Sequence, residues 1–115
     1  MTESLKLKVD DRADFAIIYT DGYINNQGGE EIARVAYELI GEGRKKLLLN
    51  LAGTKIVNSI GISILIEIIE KMIEIEGKLA FCSLTATIEK TFNIMGLAQY
   101  AGIYEDEAAA IEALA

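Results

Sequence analysis

The sequence predicts a single α/β domain built on a mixed, mostly parallel β-sheet of about five strands, with an opening hairpin and about four helices. Three observations predict it. β-rich runs and amphipathic segments alternate in the order ββαβαβαβα, and that alternation places helices on a largely parallel sheet. The run Leu47-Leu48-Leu49 is continuously apolar, as a strand buried on both faces would be. Finally, 115 residues of 51% hydrophobic and 25% charged composition hold one core and not two. There is no proline, low-complexity tract or linker-like stretch to mark a boundary, so the domain is expected to span residues 1–115.

Leu5, Leu7 and Val9 alternate with Lys6 and Lys8, the period of a half-buried strand over residues 5–9. A polar turn around Asp10, Asp11, Arg12 and Asp14 leads to a second β-rich run over residues 15–20, so the two pair as a hairpin. Residues 21–29 read as a loop ending in Gly28-Gly29. A helix follows with Ile32, Val35, Ala36, Leu39 and Ile40 on one face, stopped by Gly41 and Gly43. Residues 46–51 form the central strand, and residues 53–58 connect it to the strongest helix, residues 59–76. Gly77 ends that helix. A strand over residues 78–84, a helix over 87–95 stopped by Gly96, a short strand over 101–104 and a terminal helix to Leu114 complete the order. On such sheets the sites lie beyond the carboxyl ends of parallel strands, here the loops 21–29 and 52–59.

Composition removes several functions. Eleven Lys and Arg against 18 Asp and Glu give a net charge of −7, which disfavours nucleic acid and anionic membrane as partners. There is no histidine, so Ser-His, Cys-His and His-ligated metal chemistry are absent, and the lone Cys82 makes neither an internal disulfide nor a multi-thiolate zinc site. No cofactor and no metal are expected. No signal peptide or membrane span is visible, and a cytoplasmic, non-catalytic protein, monomeric or weakly dimeric, is expected.

Ser59 stands where the central strand's loop meets the longest helix. One reading is an N-cap, whose hydroxyl accepts an orphan backbone N–H. The other is a phosphorylation switch, since a phosphate there meets free N–H groups and the positive end of the helix dipole. On the same helix, about 100° per residue puts Ile62, Leu65, Ile66, Ile69 and Ile73 on a core face and Ile60, Ile64 and Ile68 on a separate ridge. Either a neighbouring helix covers that ridge or it is an exposed partner contact.

The stretch from Leu48-Leu49-Asn50-Leu51 through Ile56-Val57-Asn58-Ser59-Ile60-Gly61-Ile62 resembles the signature of STAS domains, specifically the bacterial anti-sigma factor antagonists. In that family a central strand ending in Asp-Leu leads to an Asp-Ser-Ser-Gly or Asp-Ser-Thr-Gly turn that opens a helix. Asp21-Gly22-Tyr23-Ile24-Asn25 similarly resembles the family's Gly-x-Leu-Asp motif. Here Asn25, Asn50 and Asn58 stand where the family usually has aspartates, and Ile60 replaces the second Ser or Thr. The resemblance implies that Ser59 is phosphorylated by an anti-sigma factor that is itself a serine kinase, that phosphorylation releases this partner, and that a serine phosphatase resets the switch. It further implies a partner surface comprising Asn25, Asn58, Ser59, Ile60, Gly61, Ile64 and Ile68. The alternative reading is a constitutive STAS binding or scaffold subunit in which Ser59 only caps the helix.

Overall fold

A computed structural model describes residues 5–115. Its strands are β1 (Lys6–Asp11), β2 (Ala16–Asp21), β3 (Lys46–Gly53), β4 (Lys78–Cys82) and β5 (Gly102–Tyr104). The helices are α1 (Asn26–Gly41), α2 (Ser59–Glu74), α3 (Ala86–Ile94) and α4 (Glu107–Leu114), with a short 3-10 turn at Leu97–Gln99. The sheet order is β1-β2-β3-β4-β5. β1 runs antiparallel to β2 and the other pairs are parallel, so the expected mixed sheet with an opening hairpin is observed.

Because strand order follows chain order, each right-handed crossover deposits its helix on the same face of the sheet. Leu47, Leu49, Leu51 and Phe81 point to that face and pack with Ile32, Ala36, Leu65, Ile69 and Phe92 of α1, α2 and α3. The rings of Phe81 and Phe92 meet edge to face at 5.1 Å. The opposite face is covered by α4, whose Ala110 and Leu114 lie on Ile17, Leu48, Ala80 and Cys82. The three consecutive leucines of β3 therefore serve two cores, and all are fully buried.

Two features differ from the sequence reading. α1 begins at Asn26, so Gly28 and Gly29 lie within the helix instead of in a loop before it. Both are buried because they are small: a Cβ on Gly28 would come 2.6 Å from the Tyr23 carbonyl oxygen, and one on Gly29 would come 2.8 Å from Ile64 Cδ1. Close approach of the preceding loop at Gly28 and of α2 at Gly29, not loop conformation, explains this pair. α2 is also rotated from its expected setting. Its buried residues are Gly61, Ile62, Leu65, Ile68, Ile69 and Met72, while Ile73 is half exposed at 52%.

Candidate functional site

The loops after β2 and β3 are joined to each other before either helix begins. Ile24 and Val57 form an isolated parallel bridge, in which the Ile24 N–H donates to the Ile56 carbonyl at 3.0 Å and the Asn58 N–H donates to the Ile24 carbonyl at 3.1 Å. Ile24 is fully buried and anchors the pair in the core. Beneath the second loop, the buried Thr20 and Thr54 hydroxyls share a hydrogen bond of 2.6 Å. The sequence offered no period or spacing from which to find that pair.

Each loop then opens its helix by the same device. The Asn25 side-chain oxygen accepts from the Gly28 N–H at 2.8 Å, and that of Asn58 accepts from the Gly61 N–H at 2.8 Å. The N-cap of α2 is therefore Asn58, not Ser59, which corrects the capping alternative for the serine. Ser59 is the first helical residue and is exposed, and among the described residues its hydroxyl makes no hydrogen bond. The backbone N–H groups of Ser59 and Ile60 likewise have no partner among the described residues, as expected at a helix start. Gly61 is packed so closely that a Cβ would press on the Ile24 carbonyl. That contact locks the start of α2 onto the neighbouring loop.

The expected site residues separate into two groups. Asn25, Asn58, Ser59, Ile60 and Gly61 come together around the Ile24–Val57 bridge, with Ile60 52% exposed. Ile64 is half-buried against Gly29 of α1, and Ile68 is fully buried in the core shared by α1 and α2. The ridge reading is corrected accordingly: a neighbouring helix covers it, and Ile60 alone remains open. Ile56, 58% exposed in the loop that leads to Ser59, is a surface residue the sequence reading missed, because it lies in a loop where helical spacing gives no signal. With Gly22, Tyr23, Gly53 and Lys55 it lines a shallow depression of about 150 Å³.

Asn50 lies on the opposite face of the sheet from these residues. Its oxygen accepts from the Ala52 N–H at 2.9 Å, and its amide donates to the Glu107 carboxylate at 3.1 Å, tying β3 to the start of α4. Burial, reinforced by that carboxylate, pushes the neighbouring Tyr19 hydroxyl up to about 12. Burial also raises the Cys82 thiol, which lies under α4 and is free. Among the described residues no group of Asp, Glu and Cys is placed to hold a metal ion, and no helix is long and apolar enough to cross a membrane.

The sequence matches the family model of the STAS domain over residues 5–110. No curated protein matches it significantly. Among solved structures, an anti-sigma factor antagonist from Mycobacterium paratuberculosis is similar at 16% identity and a TM-score of 0.86, over 99% of this chain and 98% of that one. The phosphorylated form of the Bacillus cell fate determinant SpoIIAA is similar at 16% identity and a TM-score of 0.76, over 96% of this chain and 100% of that one. A STAS domain protein from Planctomyces limnophilus gives 19% identity and a TM-score of 0.78, over 95% and 97%.

Proposed function

We propose, from the premise that the chain belongs to the STAS domain family, that it is an anti-sigma factor antagonist, a non-catalytic cytoplasmic protein that regulates sigma-factor-dependent transcription by switching partners. Its unmodified form binds an anti-sigma factor with serine kinase activity. Phosphorylation of Ser59 releases that partner, and a serine phosphatase restores binding. The observation that carries this reading is the setting of Ser59. Asn58 supplies the cap, so the serine hydroxyl is left exposed and without a structural task among the described residues. A phosphate there would find the unpaired N–H groups of Ser59 and Ile60 and the positive end of α2, so the fold accepts the modification. The surface around it gains about −1.5 to −2 charge. The exposed Ile56 and Ile60 lie before and after the serine in the sequence, and an added dianion near such apolar residues is a reason for a partner to let go.

The test is intact mass spectrometry of protein purified from its host with phosphatases inhibited. One added phosphate mapped to Ser59 is expected, and Ser59→Ala removes it. An unmodified chain under conditions in which the cognate kinase is active would refute the switch.

A constitutive binding subunit is the second reading. It is favoured by the neutral amides of Asn25 and Asn58, both engaged in capping where the family usually carries carboxylates. Equal partner affinity of wild type and Ser59→Asp would select it.

A further inference from the structure

Two residues that the sequence pattern assigned to the core face of α2, Ile66 and Ile73, are not fully buried. α3 does not pack closely along α2, and a cleft of about 540 Å³ lies between the C-terminal half of α2 and the corner where α3 meets the 3-10 turn. Ile66, Ile69 and Ile73 form one wall, and Met95, Leu97 and Tyr100 form the other. Ile69 and Leu97 are buried at its floor. Ile73, Met95 and Tyr100 are exposed by 52%, 52% and 64%, far more than core residues of these types would be. Glu70 and Glu74 are the charged residues that line the cleft, and no cation lines it. Lys71, next to Glu70 in α2, leans on Glu74 at 3.8 Å.

We infer that this cleft seats a cationic amphipathic helix of a partner protein, at a site separate from Ser59. The cleft lies 7 to 15 residues along α2 from the serine, about 10 to 22 Å at the rise of a helix. A helix laid across the walls would place apolar side chains at i, i+3 or i+4, and i+7 between Ile73 and Met95, with lysine or arginine over Glu70 and Glu74. The charges select this occupant. A second copy docked symmetrically would set Glu70 and Glu74 against their own counterparts, and an anionic lipid or fatty acid would meet the same repulsion. The inference goes beyond the Ser59 switch and does not depend on it.

The probe is a synthetic amphipathic peptide of leucine and lysine, long enough for about four helical turns, titrated into the isotopically labelled full chain and followed by NMR. Its counterpart carries glutamate in place of lysine. The expected result is binding of the lysine peptide alone, with shift changes at Ile73, Met95, Gly96 and Tyr100 and none at Ile56 or Ile60. Glu70→Gln with Glu74→Gln should weaken it about tenfold or more, as should Ile73→Gln without lowering the melting temperature. The same change of charge on the opposite face, Glu105→Gln with Glu112→Gln, should leave binding unaltered. Equal binding of both peptides would overturn the inference. So would equal losses from both pairs of variants, shifts centred on the Ser59 end, or concentration-dependent dimers whose contact maps to the cleft.

Discussion

Replacing Asn58 separates two tasks that meet at the start of α2. The side-chain oxygen holds the Gly61 N–H at 2.8 Å, and Gly61 is buried against Ile24, so water does not readily substitute for the lost acceptor. An ordinary N-cap loss costs about 1 kcal/mol. A donor left without its partner costs about 1 to 3 kcal/mol, so Asn58→Ala is placed near the upper end of the capping range, about 2 kcal/mol. For a domain of this size that corresponds to a fall in melting temperature of about 8 °C. Asn58→Asp keeps the acceptor and adds a negative charge at the positive end of the helix, so it should match or exceed wild type by about 0.3 to 1 kcal/mol. Urea unfolding followed by far-ultraviolet circular dichroism measures both, with an unchanged denaturant slope showing that only stability has moved. The reasoning fails if Asn58→Ala costs under about 0.5 kcal/mol, or if the Asp variant is as unstable as the Ala variant.

Ser59→Ala should change stability by no more than about 0.5 kcal/mol in the same melts, because the serine is exposed and does not cap, and a loss of a full cap's worth would restore it to a structural role. Ile68→Ala should cost about 2 to 5 kcal/mol as a core truncation, whereas Ile60→Gln should be near neutral in stability yet lower partner affinity by calorimetry; the reverse pattern would return the ridge to the surface. Tyr19 holds its proton in the folded state up to about pH 12, against about 10 in the unfolded chain. Its contribution is therefore complete below pH 10 and lost as pH rises towards 12. Tyr19→Phe should flatten part of that alkaline decline, the rest being shared by Cys82, which burial raises, and Tyr37, which burial and the Glu67 and Glu70 carboxylates raise; an unaltered profile would remove Tyr19 from the account.

Sheet order and helix order were legible because they follow from short-range signals: alternation in β1, the leucine run in β3, and glycines at helix ends. The position of Ser59, the proposed switch, was legible for the same reason, as a polar turn between a buried strand and a long apolar helix. The errors share a different origin. α2 carries isoleucine on nearly every side, so its own period does not say which flank a neighbour covers. α1 settles it by approaching at Gly29, which encloses Ile64 and Ile68 and leaves Ile73 open. Asn58 and Ser59 are both good capping residues, and the choice between them rests on the Ile24–Val57 bridge, a contact across 33 residues that no local pattern encodes. Asn50 was noted with Asn25 and Asn58 only as a departure from the family's aspartates, and the sequence did not show where its side chain lies. The pleat of β3 turns it to the other face, towards Glu107.

The unequal cover on the two faces of the sheet has a consequence for how the molecule comes apart. α4 has eight residues, too few to persist as a helix by itself, and it is held to the sheet by Ala110, Leu114 and the Asn50–Glu107 link. Its release exposes one small core and leaves the larger one, under α1, α2 and α3, intact. The domain thus has two opening events of different free energy instead of one. Cys82 sits beneath α4, so the rate at which a thiol reagent modifies it reports the smaller event, while amide exchange in β3, whose strand is central to both layers, reports the larger.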